Sequence, residues 1–398
     1  MQFTSMDDGY RWKFGRGSQT MTLNMRAWSF ACKAAIEAFE ASVISLSCGR
    51  FDGFFLAFCG HQIEDRKVQA APYRQSCNQS WMQQIMEDLY QEIYKSLKDG
   101  KGSLNSSKAD MWFQQEQCAL SSLAQIFCLA VGVPFRGWQL ASVYWDCSQT
   151  QKRNVWVLKD GRVIVSHPQA KQRNKVTAPT LVSFPQTMSS ILSFYLFIIR
   201  PIACKILSDL QLDSSLHATT VWVHSITCKR KKIQVPSPWT GAHVSQVLKD
   251  FTKTKMGWAM SPLSGRQATQ AVFRDMFPQL FSSPGGKSSF AELDQYGHQC
   301  GFPSWKDLPV EKGVRLLAVS QIWQALLNID PVNPVWRSML ENSLMFSWEE
   351  TKNLEKASLC AHHQIGLFPA RHKPRELLDD VRRPSTVSTR SLNELPSP

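Results

Sequence analysis

The chain has 398 residues, 43% of them hydrophobic, and 45 Lys and Arg against 32 Asp and Glu give a formal charge of +13. These values exclude a mainly disordered chain, leave room for two or three domains and put polyanions first among partners. The eleven cysteines are odd in number and hold no CxxC pair, which argues against a disulfide frame or a zinc site and fits reduced thiols in an intracellular protein.

The N-terminal stretch MQFTSMDDGYRWKFGRGSQ mixes acids and bases where a signal peptide needs an apolar segment, so secretion is not expected. Apolar residues then recur at helical spacing over 21–47 (Trp28, Ala31, Ala35, Phe39, Val43, Leu46) and 81–97 (Ile85, Leu89, Ile93, Leu97). A polar loop over 98–110 precedes a third helix over 111–131, which stops at Gly132 and Pro134. WQLASVYW reads as a strand or short helix. Val155, Trp156 and Val157, then Val163, Ile164 and Val165, flank Lys159-Asp160-Gly161 and predict a β-hairpin.

The apolar run ILSFYLFII is cut by Arg200-Pro201 and is about half the ~20 residues of a membrane span, so a buried helix over 188–207 is expected and no membrane partner. An extended basic stretch, ATTVWVHSITCKRKKIQVPSPWT, follows. Helices resume over 242–254, 266–277 and 314–327, and a polar, Pro-rich tail begins near 370. The expected fold class is mainly α with a small β element (α+β). The expected divisions are a helical N-terminal region at 1–110, a second domain at 111–330, a helical extension at 331–369 and a disordered tail at 370–398.

SPGGKSS (283–289) has the GK[ST] end of a phosphate loop, but Phe281 stands where its first glycine belongs, so an ordinary loop is expected. Dinucleotide fingerprint, HExxH pair and nucleophile elbow are all missing from the sequence, and neither cofactor nor metal is expected. His362-His363 reads as a solvated pair, and RRPST (382–386) as a basophilic kinase acceptor at most.

The basic groups carry the functional argument. Lys152, Arg153, Lys171, Arg173 and Lys175 crowd the open end of the hairpin, where like charges repel unless an anion lies between them; the alternative is a solvated edge kept basic against aggregation. Lys229, Arg230, Lys231 and Lys232 form a run suited to a DNA backbone or a nuclear import signal, or to a plain solvated loop. Trp222, Trp239 and Trp258 nearby suit base stacking or core packing. Arg136, Arg266, Arg274 and His298 join them as candidate phosphate ligands, since two arginines, a hairpin lysine and a histidine around one phosphate would stabilise a pentavalent transition state. For Arg136 the alternative is a buried tie between loop and helix; for Arg266 and Arg274, two turns apart, it is a solvated helix face.

The order GVPFRGWQL, QKRNVWVLKDGRVIVSH, LSFYLFIIRP, SGRQATQAVFR, LDQYGHQ and LLAVSQIWQALL resembles the tyrosine-recombinase-like region of fungal Crypton elements and of fungal telomere-linked proteins with RecQ-type helicase domains. The likeness spans roughly residues 75–330 and implies a recombinase-like domain with a basic hairpin, in which Arg136 falls on the first arginine and His298 on the histidine of the GHS box. It also implies what is missing. Ser166-His167-Pro168 stands where the hairpin lysine belongs, Gln267 replaces the second-box histidine, Phe302 lies where the nucleophilic tyrosine belongs, and Tyr296 precedes the box.

The resulting expectation is a nuclear, non-catalytic DNA-binding protein that clamps the phosphate backbone through Arg136, Arg153, Lys171, Arg173, Lys229, Arg230, Lys231, Lys232, Arg266 and Arg274, with a helicase or a second copy of itself as further partners. One alternative is an accessory or scaffold protein, or a mobile-element relic without a DNA role, associated with a fungal metabolic gene cluster. A second is an active strand-transferase using Tyr296. Helicase activity in this chain is not expected, because the nucleotide loop is broken at Phe281.

Overall fold

The computed structural model describes residues 2–5, 11–16, 19–66, 70–100, 102–132, 134–148, 150–167, 180–224 and 236–276, with 317, 319–321, 323–324 and 327–329. In chain order the elements are β1 (Gln2–Ser5), β2 (Arg11–Arg16), β3 (Gln19–Asn24), α1 (Met25–Leu46), α2 (Phe51–Cys59), α3 (Ser76–Leu97), α4 (Ser106–Leu129) and α5 (Gly137–Ala141). There follow β4 (Val155–Val157), β5 (Val163–His167), β6 (Thr180–Ser183), α6 (Gln186–Phe194), α7 (Arg200–Asp209), α8 (Ser215–Thr219), α9 (Gly241–Met256) and α10 (Pro262–Met276). The chain is mainly helical with a small β component: two antiparallel three-stranded sheets, β1-β2-β3 and β4-β5-β6. The expected extension at 331–369 and tail at 370–398 lie outside the described residues.

Local chemistry sets the helix starts. Asn24 accepts from the backbone N–H of Arg26 at 2.9 Å and of Ala27 at 3.4 Å, so α1 begins at Met25 and the four residues expected to open it pair with β2 instead. Asn105 caps α4 in the same way, through the N–H groups of Ser107 and Lys108, and starts that helix at Ser106 rather than 111. The domain boundary expected after residue 110 therefore falls inside α4.

Helices α1 and α4 run antiparallel, tied at both ends by tryptophan. Trp112 Nε1 donates to the Leu46 carbonyl at 2.9 Å and Trp28 Nε1 to the Leu129 carbonyl at 3.0 Å. Trp323 donates to that same Leu129 carbonyl at 2.7 Å and meets Trp28 edge to face, so residues from both sides of the expected boundary fill one hydrophobic cluster reaching from Leu23 to Leu327. Burying each large side chain of this kind contributes about 1.5–3 kcal/mol.

The helix expected over 188–207 runs on through Arg200-Pro201. Residues Gln186–Asp209 form one helical stretch, long and apolar enough by length and composition to cross a membrane, with 78% of its apolar window buried inside the fold. A π turn at Tyr195–Ile199 joins α6 to α7: the Arg200 N–H reaches back five residues to the Tyr195 carbonyl, and this wider turn lets Pro201, which has no N–H, enter at the start of α7.

That turn carries a buried ionic group into the core. Arg200 donates through Nη1 to Glu116 Oε1 on α4 at 2.8 Å and through Nη2 to the carbonyls of His217 and Thr220. His217 Nε2 lies 3.3 Å from Glu116 Oε2, and the Tyr195 hydroxyl donates to Glu116 Oε1 at 3.4 Å. The side chains of Glu116, Arg200 and His217 are fully shielded from solvent. Burial by itself would raise the Glu116 pKa, but the Arg200 charge and His217 outweigh it and hold the carboxyl at about 2. Burial pushes His217 below its ordinary value.

The second sheet contains the expected hairpin, with Val155 opposite Val165 and Val157 opposite Val163. Leu158 and Arg162 close the loop through Leu158 N–H to the Arg162 carbonyl, and Gly161 N–H reaches the Leu158 carbonyl. Gly161 sits at φ +82°, the left-handed conformation that ends such a turn and that side-chain-bearing residues rarely adopt. Every residue of β4 and β5 is buried, so this is an interior sheet rather than a solvated edge.

Candidate nucleic-acid interface

The site is built around α5. Phe135 and Leu140 are fully buried, Phe135 packing on Phe127 of α4 at 5.0 Å, and they anchor the turn. Gln139 Oε1 accepts from the Arg136 N–H at 2.9 Å, satisfying a donor at the helix start. This pinning leaves Arg136 half-buried, with no carboxylate partner among the described residues, and Trp138 49% exposed.

The end of the hairpin packs against this turn. His167, the last residue of β5, shares a 2.8 Å hydrogen bond between its Nε2 and Ser142 Oγ and meets Trp138 and Phe135 edge to face at 5.7 and 5.8 Å. On the other side Gly137 abuts Gly241 at the start of α9. A Cβ built at Gly241 would stand 2.9 Å from Trp138 N and 3.0 Å from the Gly137 carbonyl carbon, so only glycine allows this approach. Two residues along, His243 meets His224 at 4.5 Å and Trp239 at 4.4 Å between ring centroids. Burial lowers the pKa of both histidines, His224 adding to the effect at His243, so both are neutral near pH 7.

Two connections of the chain are rooted here. Residues 168–179 join β5 to β6 and leave the described body at His167, opposite Thr180. Residues 225–235 leave at His224, whose N–H donates to the Ser237 carbonyl at 2.9 Å, beside the Val223–Pro238 bridge. The first connection carries Lys171, Arg173 and Lys175, the second Lys229, Arg230, Lys231 and Lys232, and neither contains an acid. His167, at the end of β5, and Gly241, at the start of α9, both pack on the Arg136–Trp138 turn.

The other predicted residues fare differently. Arg153 does not face the open end of the hairpin: its side chain is fully buried, forks onto Asp65 at 2.8 and 3.0 Å and lies 3.9 Å over the Trp156 ring. A guanidinium committed in this way cannot reach DNA, and Arg153 is withdrawn from the DNA-contacting set. Lys152 beside it is exposed. Arg266 is 9% exposed on α10, which backs onto Met260 and the Cys128 carbonyl at Gly265, so it is not on the solvated helix face weighed for it and has little reach to an outside phosphate. Arg274 lies on α10. Lys171, Arg173, Lys229, Arg230, Lys231, Lys232, His298, Tyr296, Phe302 and the 283–289 loop fall outside the described residues. Trp222, Trp239 and Trp258 are buried at 1%, 3% and 8% exposure and serve the core.

Sequence reasoning passed over Trp138, His224 and His243. The one available signal was the RGW triplet, in which a large aromatic follows a glycine directly after the candidate arginine. No group of three His, Cys, Asp or Glu able to hold a metal occurs among the described residues. No family model, curated protein or solved structure matches the chain.

Proposed function

We propose that this protein is a non-catalytic, nuclear DNA-binding protein with a tyrosine-recombinase-like fold, which holds the phosphate backbone through Arg136 and the two basic connections. The observation that supports this reading is Arg136, half-buried and without a carboxylate partner among the described residues, on a turn packed against His167, where the first basic stretch leaves β5. Seven of the cations behind the formal charge of +13 fall in two acid-free stretches, 168–179 and 225–235, a pattern that favours a polyanionic partner. Such a surface reads backbone charge and not base sequence.

The loss of chemistry follows from the sequence. Phenylalanine at 302 cannot form a phosphodiester link, and the residue before Pro168 is His167, already bound to Ser142 and packed on two aromatic rings. A gel shift with a generic duplex tests the proposal. Binding should be tight at low salt and fall by about three to four decades between about 50 and 200 mM salt for seven phosphate contacts. Charge reversal at Arg136 and at Lys229 through Lys232 should abolish it. Absence of binding at both salts, or equal binding by the charge-reversed protein, contradicts the proposal.

A further inference from the structure

We propose that the end of the helical body where α1 begins, α9 ends and α10 begins is a docking surface for an anionic lipid bilayer, entered by Phe30 and Leu263 and held by the lysines around them; this is independent of the DNA-binding reading above. Phe30 on α1 and Leu263 on α10 are large apolar side chains left 62% and 60% exposed, outside the cluster that fills the core. Two local contacts fix them at the same end. Trp28, two residues before Phe30, donates to the Leu129 carbonyl at the end of α4, and a Cβ built at Gly265, two residues after Leu263, would stand 3.9 Å from the neighbouring Cys128 carbonyl oxygen. Lys255, in the last turn of α9, lies 6.0 Å over the Phe30 ring.

Charge and apolar surface together select the occupant. Arg26, Lys33, Lys253 and Lys255 are exposed at this end, and the three lysines form no ion pair among the described residues. The segments that build it, 19–36, 117–145 and 251–274, contain no Asp or Glu. Of the acids that border them, Glu116 is buried against Arg200, Asp250 accepts from Gln246 Nε2 at 2.8 Å, and Glu37 lies about two turns along α1 from Phe30. Cations without carboxylate partners call for an anion, and a nucleic-acid backbone would satisfy them while leaving Phe30 and Leu263 in water. A bilayer with anionic headgroups answers both: apolar side chains gain by entering the boundary between headgroups and acyl chains, and each nearby lysine gains from the negative surface potential. The contact is peripheral and does not use the apolar stretch Gln186–Asp209, 78% of whose window is buried inside the fold.

The test is co-sedimentation of the full-length protein with vesicles of phosphatidylcholine alone and of phosphatidylcholine with phosphatidylserine, beside a gel shift with a generic duplex. Wild type should pellet with the anionic vesicles and not with the neutral ones. The double variant Phe30→Ser, Leu263→Ser keeps every charge; it should weaken vesicle binding by about tenfold or more and leave duplex binding within about twofold. Lys253→Gln with Lys255→Gln should weaken vesicle binding by about fivefold for each lysine. No binding to anionic vesicles overturns the inference, as does a serine variant that binds them as wild type does, which would mean attraction by charge alone. A serine variant that loses duplex binding in equal measure assigns the surface to nucleic acid and overturns it too. Circular dichroism checks the fold of each variant; if the serine variant is unfolded, Leu263→Ala alone decides in its place, with a loss of about threefold or more expected on anionic vesicles and no loss overturning the inference.

Discussion

Replacing Glu116 by glutamine is expected to destabilise the fold by about 3 kcal/mol at neutral pH, because it strands the Arg200 guanidinium in a site with no solvent. The magnitude has two sources. Breaking a buried pair by neutralising one partner generally costs about 3–5 kcal/mol. Independently, a carboxyl held at about 2 against an ordinary 4.5 corresponds to roughly 3 kcal/mol of preference for the charged form, at about 1.36 kcal/mol per pH unit. The folded value is the depressed one, so this stability is fully present above pH 4.5 and is lost progressively as pH falls towards 2. Urea unfolding followed by tryptophan fluorescence should therefore show a midpoint about 1 M lower for Glu116→Gln at pH 7, taking a slope of about 3 kcal/mol per molar. The gap should narrow between about pH 5 and pH 3, as Glu116 of the unfolded wild-type chain takes up its proton while the folded carboxyl stays charged. A midpoint difference under about 0.2 M at pH 7, or a gap that stays constant as pH falls, would refute the reasoning.

Three further expectations follow from the same structure. Asp65→Ala leaves Arg153 buried without its fork and the Val157 N–H without its 3.0 Å acceptor, and should cost about 3–5 kcal/mol in urea or thermal unfolding, more than any exposed-pair variant such as Glu64→Ala. Gly241→Ala should lower stability by about 1–3 kcal/mol and weaken DNA binding together, since its methyl group pushes the Arg136–Trp138 turn off α9; unchanged values of both would contradict the packing described. In native protein a thiol reagent should label Cys59 and Cys118 readily, whereas Cys128 and Cys204, pushed up to about 12 with burial the largest cause, should label only on unfolding.

Much of the backbone was legible because its signals are local. The Lys159-Asp160-Gly161 turn between β-branched runs announced the hairpin, and apolar periodicity located α1, α3, α4 and α9 to within a few residues. What stayed hidden depends on partners remote in sequence. Whether an arginine faces water or a carboxylate is not a local property: Arg153 is consumed by Asp65, 88 residues away, and Arg200 by Glu116, 84 away, while Arg136 keeps its guanidinium off any carboxylate described. The strand β6 was missed because TLVS is too short and too near prolines to read as β alone, and it pairs only because β5 supplies the edge. Pro201 did not break the helix expected over 188–207, though the π turn that accommodates it leaves no mark in the sequence. The packing of His167 and Gly241 on the Arg136–Trp138 turn is likewise a tertiary fact.

The most direct test of the DNA-binding proposal is the slope of log affinity against log salt for a generic duplex, measured on wild-type protein and on two charge-reversed variants, Lys171 with Arg173 and Lys229 through Lys232. If both connections hold the same duplex, the wild-type slope is steeply negative, at about 0.9 for each phosphate neutralised, and each variant flattens it in proportion to the charges reversed. A flat wild-type slope, or a slope indifferent to either variant, would contradict the account.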